Sequence, residues 1–255
     1  MNVFASNLRE IESLNQRGGR MLTIVDLIDD GTLDVPCAGY LLAEVARGSS
    51  FLCAAGPGGV GKTTLMACLL SMLPPDERIE TVIDPSSVAQ PGGDVCYLCH
   101  EIGAGHWYGY LWGEAAARFL GLQERGRIAA SLHAENLAEL QAQLLGPDIA
   151  ADPADLARVG LLLFMVRNVS DRRLSAVFEA DPGDEPSFTP VIEWDRENDT
   201  FRLRPAGALS SLCSSSGNGC DPRLQRATGF IQRLVDEDRR QLADVMRAVS
   251  GFYET

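Results

Sequence analysis

The stretch from Phe51 to Leu65 most constrains what this chain can fold into. It reads FLCAAGPGGVGKTTL, an apolar strand pattern that runs into a glycine-rich turn, a lysine and two threonines, with helix formers after them. The spacing of Gly56, four further residues and then Gly61-Lys62-Thr63 matches a phosphate-binding loop, which requires a strand before it and a helix after it. The stretch therefore predicts a nucleotide site between a strand and a helix.

Each residue type in this loop suits the binding of phosphate. Glycines have no Cβ, so the backbone can adopt positive φ and point its N–H groups at phosphate oxygens. The helix that starts near Lys62 adds unpaired N–H groups and the positive end of its dipole. We expect Lys62 to reach the β- and γ-phosphates of ATP and the Thr63 hydroxyl to ligate Mg²⁺. The predicted nucleotide-binding residues are Gly56, Pro57, Gly58, Gly59, Val60, Gly61, Lys62, Thr63 and Thr64.

Composition and charge limit the class of protein. A chain of 255 residues fits one large α/β domain or one domain with a small appendage. Its net charge of −13 disfavours general binding to nucleic acid or anionic lipid, because attraction to phosphate needs clustered Lys and Arg, although a local basic groove stays open. The seven cysteines are scattered and mostly within apolar runs, which favours reduced, buried thiols.

The sequence also bears on the cellular location. No stretch approaches the ~18 uninterrupted apolar residues of a membrane helix, and the N-terminus has no signal-peptide core. We therefore expect a soluble, cytoplasmic protein that meets a membrane only through partners.

Strand and helix patterns alternate through most of the chain. This alternation predicts an α/β fold with a mostly parallel central sheet and helices on both of its faces. The later strands are short and follow one another directly, which predicts an antiparallel C-terminal extension of the sheet. Strands are predicted at 50–55, 78–84, 95–99, 127–132, 161–166, 174–180, 190–194 and 200–203, and the principal helices at 23–31, 37–47, 63–73, 112–122 and 137–145.

The chain divides into four predicted segments. Residues 1–21 are a polar N-terminal surface segment with a short amphipathic helix, and residues 22–209 form the domain that contains the phosphate-binding loop. Residues 210–221 are rich in Ser and Gly and are predicted to be a flexible linker. Residues 222–255 are predicted to form an amphipathic helical tail.

The loop, its flanks and two further segments resemble the secretion ATPases of type II and type IV systems, a family that includes type IV pilus motors. TIVDLIDDG through RIETVID is similar to the family's helix pair, phosphate loop and strand with an acidic box. RIAASLHAENLAEL is similar to its histidine box, and RRLSAVFEA through WDRENDTF to its closing antiparallel strands. The resemblance covers about residues 22 to 204. It implies a RecA-like P-loop motor domain without the separate N-terminal domain that many members carry.

The resemblance implies three catalytic residues outside the loop. Glu101 falls at the position of the glutamate that organises Mg²⁺ and the attacking water, and the carboxyl end of a buried parallel strand suits that role. His133 matches the second histidine of the histidine box, where it could sense the γ-phosphate or bridge to the region of Glu101. Asp84 is what remains of an acidic box that in relatives pairs Glu with Asp. A solvent-facing glutamate and a structural histidine are the alternatives for Glu101 and His133. The implied Mg²⁺ ligands are Thr63 and Glu101.

The sequence departs from the family's pattern where relatives carry positive charge. Ile102-Gly103 follows Glu101 in place of an arginine, and Gly126-Arg127 stands in place of Gly-His. Loss of an arginine finger can lower the rate by about 10³ to 10⁵. The sequence therefore supports nucleotide binding better than fast hydrolysis. Candidate replacements are Arg118, Arg125, Arg127, Arg167, Arg172 and Arg173.

Two other groups of residues have less specific patterns. Cys96 and Cys99, followed by His100, have metal-like spacing, but strand alternation would send the two thiols to opposite faces, so buried thiols are favoured. The segment 105–112 looks inserted relative to the family and is rich in aromatic residues. It fits a partner-binding patch and core filling equally well, and its His106 could supply a polar group.

Three functions remain open. The resemblance implies an ATP-hydrolysing motor that works as a homo-hexameric ring and drives pilus assembly or protein export through a membrane platform. The missing Glu and Arg support a degenerate, nucleotide-binding regulatory or scaffold subunit instead. An unrelated P-loop kinase is the third, and the histidine box and the closing strands argue against it.

Overall fold

A computed structural model describes residues 2–15, 18–56, 58–89, 94–168, 171–181, 183, 185–204 and 221–254. Pro57 and nearly all of the predicted linker, with Cys213 and Cys220, lie outside them. The helices are α1 (Val3–Ser13), α2 (Ile24–Asp29), α3 (Val35–Ala46), α4 (Lys62–Leu70), α5 (Glu114–Gly121), α6 (Leu137–Leu145), α7 (Pro153–Ala157), α8 (Pro222–Asp236) and α9 (Leu242–Tyr253). The strands are β1 (Phe51–Ala54), β2 (Arg78–Thr81), β3 (Val95–Ile102), β4 (Tyr110–Leu111), β5 (Arg127–Leu132), β6 (Leu161–Asn168), β7 (Asp171–Ala180), β8 (Phe188–Asp195) and β9 (Thr200–Leu203).

One sheet organises the molecule. Its order is β2-β3-β5-β1-β6-β7-β8-β9, with β4 paired to β3. The pairs from β2 to β6 are parallel, and those from β6 to β9 are antiparallel. Strand β1, which leads into the phosphate-binding loop, lies between β5 and β6. The predicted fold class, a mostly parallel sheet with an antiparallel extension, is confirmed.

The sheet separates two hydrophobic cores. Side chains of β1 alternate between them, with Phe51 and Cys53 in the first core and Leu52 and Ala54 in the second. The first core is covered by α1 to α4 and by α8 and α9, and the second by α5, α6 and α7. Helices therefore cover both faces of the sheet, as predicted. Cys96 and Cys99 also lie in different cores.

Both ends of the chain contribute to the first core. The side chain of Asn7 in α1 donates to the carbonyl of Glu77 and accepts from the N–H of Ile79, each at 2.8 Å, so it satisfies the outer edge of β2. Gly39 lets α8 approach α3 closely, because a Cβ there would lie 2.7 Å from the Cα of Thr228. The helices of the predicted tail thus pack on the sheet domain.

Several predicted boundaries match the structure. Strands β5 and β9 and helix α6 have the limits that the sequence predicted. Strand β3 extends to Ile102, three residues beyond its predicted end, and the two-residue β4 was not predicted. Within the described residues no helix is long and apolar enough to cross a bilayer.

Candidate nucleotide site

The phosphate-binding loop joins β1 to α4 with a backbone that requires glycine. Gly59 and Gly61 have φ of 78° and 109°, in the left-handed region. Gly61 is the N-cap of α4 and offers no side-chain cap, so the first N–H groups of this nine-residue helix remain available to a ligand. Val60 is buried in the first core, where it anchors the loop.

Lys62, Glu101 and His133 converge at the carboxyl ends of three strands. The Lys62 ammonium lies 3.6 Å from Glu101 Oε2 and 3.2 Å from His133 Nε2. His133 Nε2 lies 3.3 Å from Glu101 Oε1. The side chains of Lys62 and Glu101 are 6% and 15% exposed, whereas that of His133 is 44% exposed. A buried cation and a carboxylate therefore face a partly open histidine beside the loop.

Contacts to the loop define the tautomer of a neutral His133. Its Nδ1 lies 2.7 Å from the carbonyl oxygen of Gly56, and because a carbonyl only accepts, Nδ1 must carry the proton. The other nitrogen, Nε2, then accepts from the Lys62 ammonium. His133 thereby links the first glycine of the loop to the loop's lysine.

An irregularity in β3 directs Glu101 toward Lys62. The register between β3 and β5 shifts between Cys99 and Ile102, and both of these residues pack in the second core, although three residues apart they would face opposite sides of a regular strand. The Ser131 hydroxyl donates to the carbonyl of His100 at 2.7 Å and so supports this irregular part of the strand. Short strand β4 then pairs with Glu101 through Tyr110.

Burial and charge act in opposite directions on Lys62. Desolvation disfavours the ammonium and lowers the pKa of Lys62, and the nearby Glu101 carboxylate only partly offsets this. A lysine with a lowered pKa at a glycine-rich loop is typical of a functional site, because structural surface lysines keep their ordinary values.

The other predicted residues lie at different distances from this cluster. Thr63 is half-buried in the first turn of α4, and its hydroxyl makes no hydrogen bond with the described residues. Asp84 is exposed and caps the 3₁₀ turn Pro85–Ser87, where hydrogen bonds from Ser86 lower the pKa of Asp84. The described contacts of Asp84 do not include Lys62, Glu101 or His133, so its predicted role stays a prediction.

Four of the candidate arginines are held away from the cluster. Arg127 pairs with Glu77 at 2.6 Å in a buried contact, and Arg173 binds Asp199 through two N–H groups, both at 2.8 Å. The contacts of the other two are Arg118 with Glu114 at 2.6 Å and Arg125 with the carbonyl of Val88 at 3.0 Å. Arg172 differs, since its Cδ lies 3.3 Å from the Cβ position of Gly61, and Arg167 is its neighbour across the β6 and β7 pair.

Sequence reasoning missed a carboxylate beside the loop. The Cγ of Glu135 lies 2.3 Å from the position a Cβ on Gly56 would take, so only glycine fits there unless Glu135 moves. Glu135 follows His133 in the turn after β5, and its N–H donates to Glu139 at 2.8 Å. Glu135 follows the candidate site residue His133 by two positions, and this spacing could have indicated that it lies near the loop.

The residues present fit a magnesium nucleotide. Gly58 has open space where a Cβ would be, and a glycine-rich turn of this kind can direct its N–H groups at an anion. Thr63 and Glu101 provide the oxygen ligands that Mg²⁺ prefers. The fold and the site therefore define an α/β protein with a candidate nucleotide site at the glycine-rich loop after β1.

Comparisons with known proteins concern the fold. No family model and no curated protein matches the sequence. The chain is similar in fold to the VirB11 ATPase of the Brucella suis type IV secretion system, solved in complex with sulphate, with 18% identity and a TM-score of 0.41 over 60% of this chain. It is also similar to the Legionella pneumophila ATPase DotB, with 13% identity and a TM-score of 0.36 over 80% of this chain. The matches span 54% and 56% of those two proteins, just over half of each.

Proposed function

We propose that this protein binds a magnesium nucleoside triphosphate, with ATP as the expected substrate, and hydrolyses it. The observation that carries the proposal is the Glu101 carboxylate 3.6 Å from the ammonium of Lys62, directly beside the glycine-rich loop. Glycine-rich loops of this spacing cradle phosphates, and a carboxylate at a strand end can orient the attacking water.

Each residue would have a distinct part in the reaction. Lys62 and the first N–H groups of α4 would donate to the phosphate oxygens and stabilise the charge that develops there. Glu101 would accept a hydrogen bond from the attacking water, and His133 would sense the terminal phosphate through its contact with Lys62. Mg²⁺, held by Thr63 and Glu101, would supply further positive charge to the phosphate oxygens.

We further propose that hydrolysis drives mechanical work in a ring-shaped homo-oligomer. Four of the six candidate arginines are held elsewhere, and beside Arg172, which lies next to Gly61, a neighbouring subunit would supply further positive charge around the phosphates. The contact of His133 with Gly56 links the loop to α6, and phosphate binding would bias a rigid-body movement of that region. Such a protein would work on the cytoplasmic side of a membrane platform in secretion or pilus assembly.

The same arginine contacts favour a second candidate function. A chain that binds ATP but lacks a positioned arginine would hydrolyse it slowly and would act as a regulatory or scaffold subunit. ATP turnover at concentrations where the protein assembles separates the two functions.

The test compares wild type with Lys62→Ala and Lys62→Arg. Lys62→Ala is expected to lower turnover about 10²- to 10³-fold, the cost of removing one preorganised donor. Lys62→Arg keeps the charge but not the compact ammonium, and we expect it to recover little activity. If wild type binds ATP yet turns over no faster than Lys62→Ala, hydrolysis is excluded and the scaffold function is favoured.

A further inference from the structure

The backbone of Glu101 lies where the regular pairing of β3 is interrupted. Between the pairs that Cys99 and Ile102 make with β5, two residues of β3 face the single residue Ser131 in a bulge. Glu101 is the second of these two residues. On the other side of β3, the pairing with β2 ends at Leu98. Neither β5 nor β2 therefore supplies regular pairing at Glu101.

Strand β4 holds the backbone on both sides of Glu101. The N–H of His100 donates to the carbonyl of Gly109 at 2.8 Å, and the N–H of Gly103 donates to the carbonyl of Leu111 at 3.0 Å. Because these two hydrogen bonds flank Glu101, a displacement of β4 would shift the backbone that carries the carboxylate.

The ring of His100 fixes the position of β4. His100 is buried, and its Nε2 lies 3.3 Å from the hydroxyl oxygen of Thr81 in β2. The ring of Tyr108 packs against it in a T-shaped arrangement, with ring centroids 5.4 Å apart. Gly109 has φ of 73°, and a Cβ there would lie 2.7 Å from the Cγ of His100. Glycine at this position therefore lets β4 approach β3 closely.

The start of the same segment leaves room for the Glu101 carboxylate. A Cβ on Gly103 would lie 3.3 Å from Oε1 of Glu101, so the carboxylate lies directly beside this glycine. The other carboxylate oxygen, Oε2, lies 3.6 Å from the Lys62 ammonium. Residues 103–111 thus contact Glu101 through both its backbone and its side chain.

We propose that residues 103–111 form a clamp that positions the Glu101 carboxylate beside the phosphate-binding loop, with Tyr108 and Gly109 as positioning residues. The clamp acts through the backbone of β3 and through the ring of His100. The inference rests on the proposed function, because hydrolysis is the step that needs a precisely placed carboxylate. The aromatic segment, whose sequence fits partner binding and core filling equally well, then has a defined role in the site.

The rate at which an acylating reagent labels Lys62 at one fixed pH reports where the Glu101 carboxylate lies. Lys62 is the only lysine in the chain, and the carboxylate beside it favours the unreactive ammonium. Glu101→Gln should therefore speed labelling about three- to tenfold. Gly109→Ala, whose Cβ would push β4 away from His100, should speed it about two- to fivefold and should add nothing in the Glu101→Gln background. The matched control Gly48→Ala has a similar left-handed backbone but open space around the added Cβ, and it should leave the rate unchanged.

Tyr108→Ala is the second variant, and it should keep the fold because the side chain is 58% exposed. It should speed labelling of Lys62 about twofold, and Tyr108→Phe, which keeps the ring, should restore the wild-type rate. In ATP turnover, Gly109→Ala should lower kcat about 10- to 100-fold, because a small displacement of a catalytic group is costly. Its calorimetric affinity for a non-hydrolysable ATP analogue with Mg²⁺ should stay within about twofold of wild type.

The outcomes distinguish the clamp from hydrolysis. If Gly109→Ala and Tyr108→Ala leave the labelling rate of Lys62 unchanged, or speed it equally in the Glu101→Gln background, the clamp is overturned. A Gly109→Ala protein with unchanged kcat, or with affinity for the analogue lowered as much as kcat, would overturn it as well. If wild type does not hydrolyse ATP while labelling changes as expected, the proposed hydrolysis fails and the clamp stands.

Discussion

Lys62 is the only lysine in the chain, so its chemistry can be observed directly. An amine-reactive acylating reagent will modify only Lys62 and the α-amino group. Because the pKa of Lys62 is lowered by burial, the midpoint of its labelling profile should lie below about 10.4, the value of an unperturbed lysine. Mass spectrometry of the peptide containing Lys62 measures the rate at each pH.

Nucleotide protection gives the same experiment its second readout. Saturating magnesium ATP should slow labelling of Lys62, because phosphate oxygens would occupy its N–H groups, and should leave the α-amino rate unchanged. Lys62→Arg provides the background. A midpoint at or above that of an ordinary lysine would contradict the buried environment, and equal rates with and without ATP would contradict the assignment of Lys62 to phosphate.

At the scale of elements, Asp26 joins α2 to the connection between α8 and α9. It lies 2.5 Å from Arg20 and 3.0 Å from Arg240. Burial alone would raise the pKa of Asp26, but hydrogen bonds from Arg20, the Thr23 N–H and Arg240 outweigh it and lower this pKa to about 2. The ionised carboxylate therefore stabilises the fold above pH ~4, and this stabilisation is lost as the pH falls toward 2.

Asp26→Asn should lower the free energy of unfolding by about 2 kcal/mol at pH 7. At pH 3 the variant and the wild type should differ less in their free energy of unfolding. The reason is that protonation of Asp26 in the unfolded state already destabilises the wild-type protein at this pH. Urea unfolding at both pH values measures this. Asp76→Asn, at an exposed turn, is the control and should change little. If the two proteins differ in free energy of unfolding by the same amount at pH 3 and pH 7, the Asp26 carboxylate does not stabilise the fold through its charge.

Gly39 tests the packing of α3 on α8. An added Cβ would lie 2.7 Å from the Thr228 backbone, so Gly39→Ala should destabilise the protein by about 1 to 3 kcal/mol despite the better helix propensity of alanine. The matched control is Gly229→Ala at an exposed position of α8, where nothing lies near the added Cβ, and it should be neutral or stabilising by up to about 1 kcal/mol. Equal urea midpoints for the two variants would contradict the close helix contact.

The sequence predicted elements where one local pattern decided the structure. Strand β5 is a buried apolar run, and α6 has Asn136 as its N-cap, whose side chain accepts from the N–H of Glu139. Two-residue β4 and the shift in β3 could not be predicted, because they depend on pairing between strands. Local periodicity carries no information about such pairing.

In the candidate site, too, the sequence predicted what a local motif decides and missed what depends on contacts between distant segments. The loop, Glu101 and His133 were found from motif and resemblance, and the structure brings Lys62, Glu101 and His133 together. Spacing could not reveal that Arg127 pairs with Glu77, because the two residues lie far apart in the sequence.

At the scale of the whole molecule, an acidic chain must overcome its own charge to associate. Copies with a net charge of −13 repel one another, and salt screens this repulsion, with a Debye length of about 8 Å at physiological ionic strength. Trp107, 67% exposed, lies with Tyr108 just before β4, and Ile83 is exposed just after β2. If the exposed apolar side chains of Ile83, Trp107 and Tyr108 form the contact between copies, we expect association to strengthen as the salt concentration rises, because salt screens the repulsion between the copies.

The proposed ring predicts that one subunit completes the site of another. Wild type is diluted until ATP turnover per chain falls, and Lys62→Ala protein is then added at moderate salt. Since Lys62→Ala subunits keep all their arginines, they should restore turnover per wild-type chain although they are inactive themselves. Lys62→Ala protein denatured beforehand is the control. The contrary result is ATP turnover per wild-type chain that changes neither with the concentration of wild type nor with added Lys62→Ala protein. It would show that each chain carries a complete site, and it would exclude a ring whose sites are shared between subunits.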